Sequence, residues 1–167
     1  MKTVTLSLSV AVFVLSAGFA RADSRQGTGV GVMIGEPTGL SLKHWSSRTE
    51  AFAAGLAWSF SENDSFHLHV DKLWHGEVPF QRDRRMDFQQ NPVFYYGVGA
   101  RLKLQERSGG RGRNRSNSLL GIRVPLGLSF DLPEAPVDIF VEIVPVLDVV
   151  PRTDFALNAA VGIRYFF

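Results

Sequence analysis

The chain has 167 residues and 18.5 kDa, the length of one domain. It contains no cysteine, which excludes a disulfide framework, a cysteine-ligated zinc site and thiol catalysis. Hydrophobic residues make up 45% and charged residues 20%, so the composition is not that of a disordered chain. The net charge of +2 resides in Lys2 and Arg21, and residues 23–167 hold 16 basic and 16 acidic side chains. That balance gives no support to a nucleic-acid partner.

Residues 1–22 read as a secretory signal. Lys2 opens it, a mostly apolar run from Val4 to Leu15 follows, and Ala20-Arg21-Ala22 forms a small-x-small cleavage site. The apolar run is too short for a membrane anchor. Beyond it, alternation with period two predicts eight strands: 27–35, 39–45, 51–60, 65–74, 94–105, 118–130, 137–147 and 154–167. The strand at 94–105 is typical. Phe94, Tyr96, Val98, Ala100, Leu102 and Leu104 share one face; Tyr95, Gly97, Gly99, Arg101, Lys103 and Gln105 share the other. Turn chemistry separates the strands, as in Glu36-Pro37-Thr38-Gly39 and 131–136. Two connections, 75–92 and 106–117, are longer.

One face of each strand is long, aliphatic and aromatic. The other is small and charged, carrying Gly29, Gly31, Gly55, Gly97, Gly99, Gly121, Gly127 and Gly162 among Arg, Lys, Asp, Glu and His. Glycine weakens a strand and marks a crowded side, here the lumen of a narrow barrel. The greasy face then looks at lipid. A sheet crosses a membrane only when closed, because lipid offers its backbone no partner. Eight strands make the smallest such bacterial barrel. Trp45, Trp58, Trp74, Phe60, Phe94, Tyr96, Phe130, Phe155, Tyr165 and Phe167 lie toward strand ends, where interfacial girdles form.

The inward charges suit a polar packing network of Lys43, Asp71, Arg101, Arg123, Asp138, Glu142 and Arg164. Turns at 131–136 and 148–153 put Arg123 opposite Glu142, Asp138 opposite Arg164, and Arg101 across from Arg123. Lys43 and Asp71 come from neighbouring inner walls. Such a network fills an eight-stranded interior and leaves no channel.

The last residues, Gly162-Ile163-Arg164-Tyr165-Phe166-Phe167, resemble the C-terminal assembly signal of outer-membrane barrels. Its elements are Gly162, Tyr165 and the terminal Phe167; Ala160 stands where the pattern usually has a polar residue. In size and strand count residues 23–167 resemble the OmpX and OmpA transmembrane barrels. Gly35-Glu36-Pro37-Thr38-Gly39-Leu40-Ser41, Tyr96-Gly97-Val98-Gly99, Arg123-Val124-Pro125-Leu126-Gly127 and Pro145-Val146-Leu147-Asp148 are similar to a family of small outer-membrane barrels without an assigned activity. The resemblance spans about residues 27–167. It implies recognition by the barrel-assembly machinery, periplasmic termini and no catalytic residues. Connections 36–38, 61–64, 106–117 and 148–153 would then face outside.

Three groups carry candidate chemistry. His67, His69 and Asp71 share a face, but zinc would want further ligands and a second shell, and polar lumen packing is the simpler reading. Some small barrels act on lipid A through a strand-borne His-x-Ser. The triplet His44-Trp45-Ser46 fits those letters, yet it precedes an expected periplasmic turn. The connection at 106–117 carries Arg107, Arg111, Arg113 and Arg115 against Glu106, which suits either a solvated loop or contact with phosphates of lipopolysaccharide.

These observations predict an all-β, eight-stranded, antiparallel up-and-down transmembrane β-barrel over residues 23–167, following a signal peptide at 1–22. The expected location is the bacterial outer membrane. The expected partners are outer-membrane lipids, lipopolysaccharide and the assembly machinery, with no nucleic acid, cofactor or metal, for a monomer. The expected role is structural or surface-presenting. The alternatives are a surface binding protein using 106–117, an envelope-lipid-modifying enzyme, a small pore, and a periplasmic lipocalin-like barrel with its apolar face inside.

Overall fold

A computed structural model describes residues 25–59, 65–77, 92–107, 115–132 and 135–167. The expected signal segment lies outside the described residues, as do Phe60, Arg111 and Arg113. Nine strands form: β1 (Thr28–Gly35), β2 (Gly39–Trp45), β3 (Glu50–Ser59), β4 (Ser65–Glu77), β5 (Val93–Arg107), β6 (Arg115–Arg123), β7 (Leu126–Asp131), β8 (Val137–Val150) and β9 (Asp154–Phe166). Every pairing is antiparallel, and β4–β5 and β9–β1 close the sheet into a ring.

Strands β6 and β7 together make one stave of the wall. Gly99 pairs with Arg123 in β6 and Tyr96 with Leu126 in β7, so β5 meets both in a single register. The interruption falls at Pro125, which has no N–H to give to the ladder. Its carbonyl still accepts from Gly97 N (2.9 Å), and Val124 N donates to Pro145 O (3.0 Å). The ring is therefore an eight-stave, up-and-down antiparallel β-barrel.

Three boundaries differ from the sequence expectation. Strand β8 runs on to Val150, so Asp148 lies within a strand instead of a turn. The ladder of β5 and β6 reaches Arg107↔Arg115, which shortens the connection there to 108–114. Strand β4 runs to Glu77 and β5 begins at Val93; residues 78–91 lie outside the described residues. In each case the alternation continues into residues that look like loop by composition, because a neighbouring strand is there to pair with.

The pairing path starts at Gly35 and passes through Ala160, Glu142, Gly127, Tyr95 and His75. Extending the registers of β4, β3, β2 and β1 past their last pairs brings it back to the line of the first strand at position 25, ten residues below its start. With about 4.8 Å between strands and about 3.3 Å per residue, that stagger tilts the strands by about 40°. The interior is too narrow for large side chains from every stave at one level. Glycine solves this. Gly29 lies directly opposite Phe166, Gly55 opposite His69, Gly97 opposite Leu73, Gly127 opposite Tyr95, and Gly162 opposite Phe140. The charged residues follow the same rule, with Gly31 opposite Arg164, Gly99 opposite Arg123 and Gly121 opposite Arg101.

Outside, the staves present Val30, Val32, Leu42, Val70, Val98, Ile122, Val141, Val161 and Ile163 to the surroundings. These side chains form an apolar belt around the ring, of a kind soluble monomers rarely expose. Trp74 stacks on Tyr96 at 5.8 Å and Tyr165 meets Phe167 at 5.1 Å, all facing out near the end that holds Arg25, the first described residue, and the C-terminal Phe167. Trp45 does not belong to this girdle. It is buried inside, with His75 4.3 Å away, because it shares the parity of Ser41 and Lys43.

A Cβ at residue 29 would lie 2.7 Å from the Phe166 ring. Gly29→Val is expected to cost about 1–3 kcal/mol through overpacking, lowering the urea midpoint of detergent-folded protein. Adding Phe166→Ala should recover part of that loss. An unchanged midpoint in the single variant would show that the interior is not close-packed there.

Candidate functional site: a charge-balanced lumen

The inward faces bury four cations, Lys43, Arg101, Arg123 and Arg164, with four carboxylates, Asp71, Asp138, Glu142 and Asp148. A buried charge is costly unless paired, and here the signs balance. The groups form three clusters along the barrel axis.

Nearest the termini, Asp138 Oδ2 accepts from Lys43 Nζ at 3.3 Å, Arg164 Nη1 at 3.2 Å and the Ser129 hydroxyl at 3.3 Å. Arg164 Nε also donates to Ser41 Oγ at 2.8 Å. Both cations lie against aromatic faces: Lys43 Nζ is 4.4 Å from the Trp45 centroid, and the Arg164 guanidinium 3.7 Å from that of Phe140. Such contacts stabilise a desolvated cation where no second carboxylate is within reach. Tyr95, Trp45, His75 and Phe166 form an aromatic floor at this end.

At mid-height, Arg123 lies between two acids. Its Nε is 3.0 Å from Asp71 Oδ1 and its Nη2 3.3 Å from Glu142 Oε1. Tyr95 donates its hydroxyl hydrogen to Glu142 Oε2 at 3.1 Å. Toward the loops, Arg101 grips Asp148 in a two-pronged pair, Nε to Oδ1 at 2.8 Å and Nη2 to Oδ2 at 2.5 Å. That fork is the geometry in which a guanidinium and a carboxylate bind most strongly.

All seven residues singled out for the lumen point inward. Asp138 and Arg164 are direct cross-strand partners. Arg123 is opposite Val146 and reaches Glu142 only along its side chain. Arg101 is opposite Gly121, not Arg123. Lys43 and Asp71 are not neighbours: β3 separates their strands, and they pair with Asp138 and Arg123 respectively. Sequence reasoning missed Asp148 as the partner of Arg101, although 138, 140, 142, 144, 146 and 148 keep one parity. It also missed Tyr95 and Ser129 as hydrogen-bond donors, which the same parity places inside.

His67 and His69 are buried in the lumen with ring centroids 5.5 Å apart. His67 Nε2 and His69 Nδ1 have no hydrogen-bond partner among the described residues. His69 Nε2 is 3.9 Å from Asp71, beyond hydrogen-bond reach. Among the described residues no three metal-ligating side chains converge. His44 faces outward, its Nδ1 2.9 Å from Thr28 Oγ1, while the Ser46 hydroxyl donates to Glu50 O. The two do not form a nucleophile–base pair. Arg107 and Arg115 are cross-strand partners at the base of the basic connection.

No family model matches the chain, and no curated protein matches it. Two solved structures do. The N-terminal β-barrel domain of Pseudomonas aeruginosa OprF aligns with a TM-score of 0.54 at 11% identity, over 85% of this chain and 98% of that domain. Neisserial surface protein A (NspA) aligns with a TM-score of 0.48 at 14% identity, over 84% and 93%. The OprF likeness is one of fold: this chain is built, like that domain, as a small antiparallel β-barrel.

Asp148→Ala leaves the Arg101 guanidinium buried and unpaired, at an expected cost of about 3–5 kcal/mol. The double variant Arg101→Met/Asp148→Leu should lie within about 1–2 kcal/mol of the parent, since an apolar pair of similar volume replaces a buried ion pair at little cost. Urea titrations of the three proteins in one detergent check both. Equal destabilisation by the single and double variants would show that the pair contributes attraction beyond its own desolvation.

Proposed function

We propose that the chain is an integral outer-membrane barrel, exported by residues 1–22, with a closed, side-chain-filled lumen and a structural or surface-presenting role. The apolar belt on a ring with no free sheet edge around most of its circumference carries this reading. Only lipid matches such a surface, and only a closed ring satisfies the backbone in lipid. A lipocalin-like barrel would have the opposite burial pattern. The buried interior, where four cations are cross-linked to four carboxylates, argues against a standing ion path. The reading includes no catalytic step. Its partners are outer-membrane lipids, lipopolysaccharide and, during biogenesis, the assembly machinery, acting on a monomer.

Tyr165 and Phe167 face outward at the termini end, where the assembly signal of Gly162, Tyr165 and Phe167 would be read. A second reading, anion contact by the connection that includes Arg107, Arg111, Arg113 and Arg115, draws on one observation. Arg107 and Arg115 are register partners, so the backbone brings two basic positions together where the two strands enter that connection.

Expressed with its first 22 residues, the protein should fractionate with the outer membrane. It should require detergent for extraction and migrate faster on a gel unheated than boiled. Recovery in the soluble periplasmic fraction would overturn the reading. Planar bilayers containing the folded protein should show no steady conductance; a stable open channel would refute the closed lumen. Removing Phe167 should reduce the outer-membrane fraction several-fold while leaving detergent refolding intact.

A further inference from the structure

The barrel wall is not level at its loop end. Strands β1 and β2 have 8 and 7 residues, whereas β4, β5, β8 and β9 have 13, 15, 14 and 13. The last bond between β9 and the short hairpin runs from Glu36 N to Ala159 O at 2.9 Å. Beyond it, Asp154 to Asn158 pair with β8 alone, and no strand among the described residues covers their other edge. At the strand rise and tilt given above, this gap is about 12 Å high.

Its position is apolar outside and polar inside. Ile34, Phe155 and Leu157 border it and are, among the described residues, the three most exposed large apolar side chains, at 71%, 66% and 63%. On the taller staves Phe66, Leu104, Leu120, Leu147 and Val149 face outward, so the apolar belt continues above the short hairpin. The gap thus opens within the lipid-facing zone, where unpaired backbone is costly. Behind it lies the loop-end layer of the lumen. Asn158 is buried on β9, and β4 is on the opposite side of the ring. There His67 is paired in register with Lys103, and His69 with Arg101. Among the described residues Asp148 is the one buried carboxylate of this layer, and Arg101 engages it with two hydrogen bonds. Lys103 has no carboxylate partner among the described residues, and His67 Nε2 is buried without a hydrogen-bond partner.

We propose that this gap is a lateral opening through which the phosphate-bearing head of an outer-leaflet lipid reaches the lumen. Lys103 and His67 hold the head, and the acyl chains remain against Ile34, Phe155 and Leu157. The spare cation selects an anionic head, and the orphaned imidazole nitrogen gives it a hydrogen bond. The lipid chains cover the apolar rim, which water or a soluble peptide would leave exposed. The proposal rests on the outer-membrane reading and extends it to a ligand class.

Native mass spectrometry of the folded, full barrel in mixed micelles of phosphatidic acid and phosphatidylcholine tests it. One equivalent of phosphatidic acid should be retained in preference to phosphatidylcholine. Lys103→Gln should lower retention about tenfold, the loss of one charge-assisted contact, and His67→Ala should lower it further. Lys72→Gln, an outward lysine paired with Glu50 at the opposite end, should leave retention unchanged. Equal retention of both lipids, equal loss in the Lys72 variant, or full displacement by millimolar inorganic phosphate would overturn the proposal. Heat-modifiable migration of each variant reports folding separately. A folded, membrane-extracted barrel that fails the lipid assay refutes the opening and leaves the outer-membrane reading intact.

Discussion

Hydrocarbon accepts no hydrogen bonds, and that one fact governs the molecule. A strand entering lipid must find partners on both edges, so the sheet has to curl until its first and last strands meet. Here β1 meets β9 through seven paired residues, and the chain otherwise pairs each stave with its sequence neighbour. Closure with eight staves and a ten-residue stagger then sets the radius. Once the radius is set, so is the interior, and the inner side chains must fit a space they did not choose.

Volume and charge are solved together in that space. A large side chain on one strand repeatedly faces a glycine on the next: Phe140 and Gly162, Tyr95 and Gly127, Arg101 and Gly121. The glycines that weaken these strands in isolation are what allow arginines and aromatic rings to cross the axis. The charges in turn need partners within a few ångströms, and the clusters around Asp138, Arg123 and Arg101 supply them. Pairing of this kind adds little net stability over an apolar core. It does tie strands distant in sequence to one another, as when Arg123 of β6 joins Asp71 of β4 and Glu142 of β8.

The exterior follows simpler rules. It needs only bulk and greasiness, with aromatic rings at the water boundary, and Trp74, Tyr96, Tyr165 and Phe167 mark that boundary near the termini. Lys72 extends from this outer face at the same level, where Glu50 Oε2 and the Trp74 ring accommodate its ammonium group. A long amphipathic side chain can keep its stem in lipid and its charge at the interface. At the other end the wall is uneven, and the difference in strand length alone decides where lumen and bilayer come closest.

Alternation along the chain was enough to determine the number of staves and the parity of each, because a period of two depends only on local backbone geometry. It placed Lys43, Asp71, Arg101, Arg123, Asp138, Glu142 and Arg164 on one wall. It did not determine who partners whom. Asp148 pairs with Arg101 because β8 outruns its turn-like residues to stay paired with β6, across a bulge between Leu120 and Gly121. Trp45 turns inward because its parity outweighs its place at a strand end. The low rim beside β9 arises from the lengths of strands that meet only after the ring closes. Partners across the lumen and the height of the wall depend on stagger, and stagger is a property of the closed sheet, which no single strand encodes.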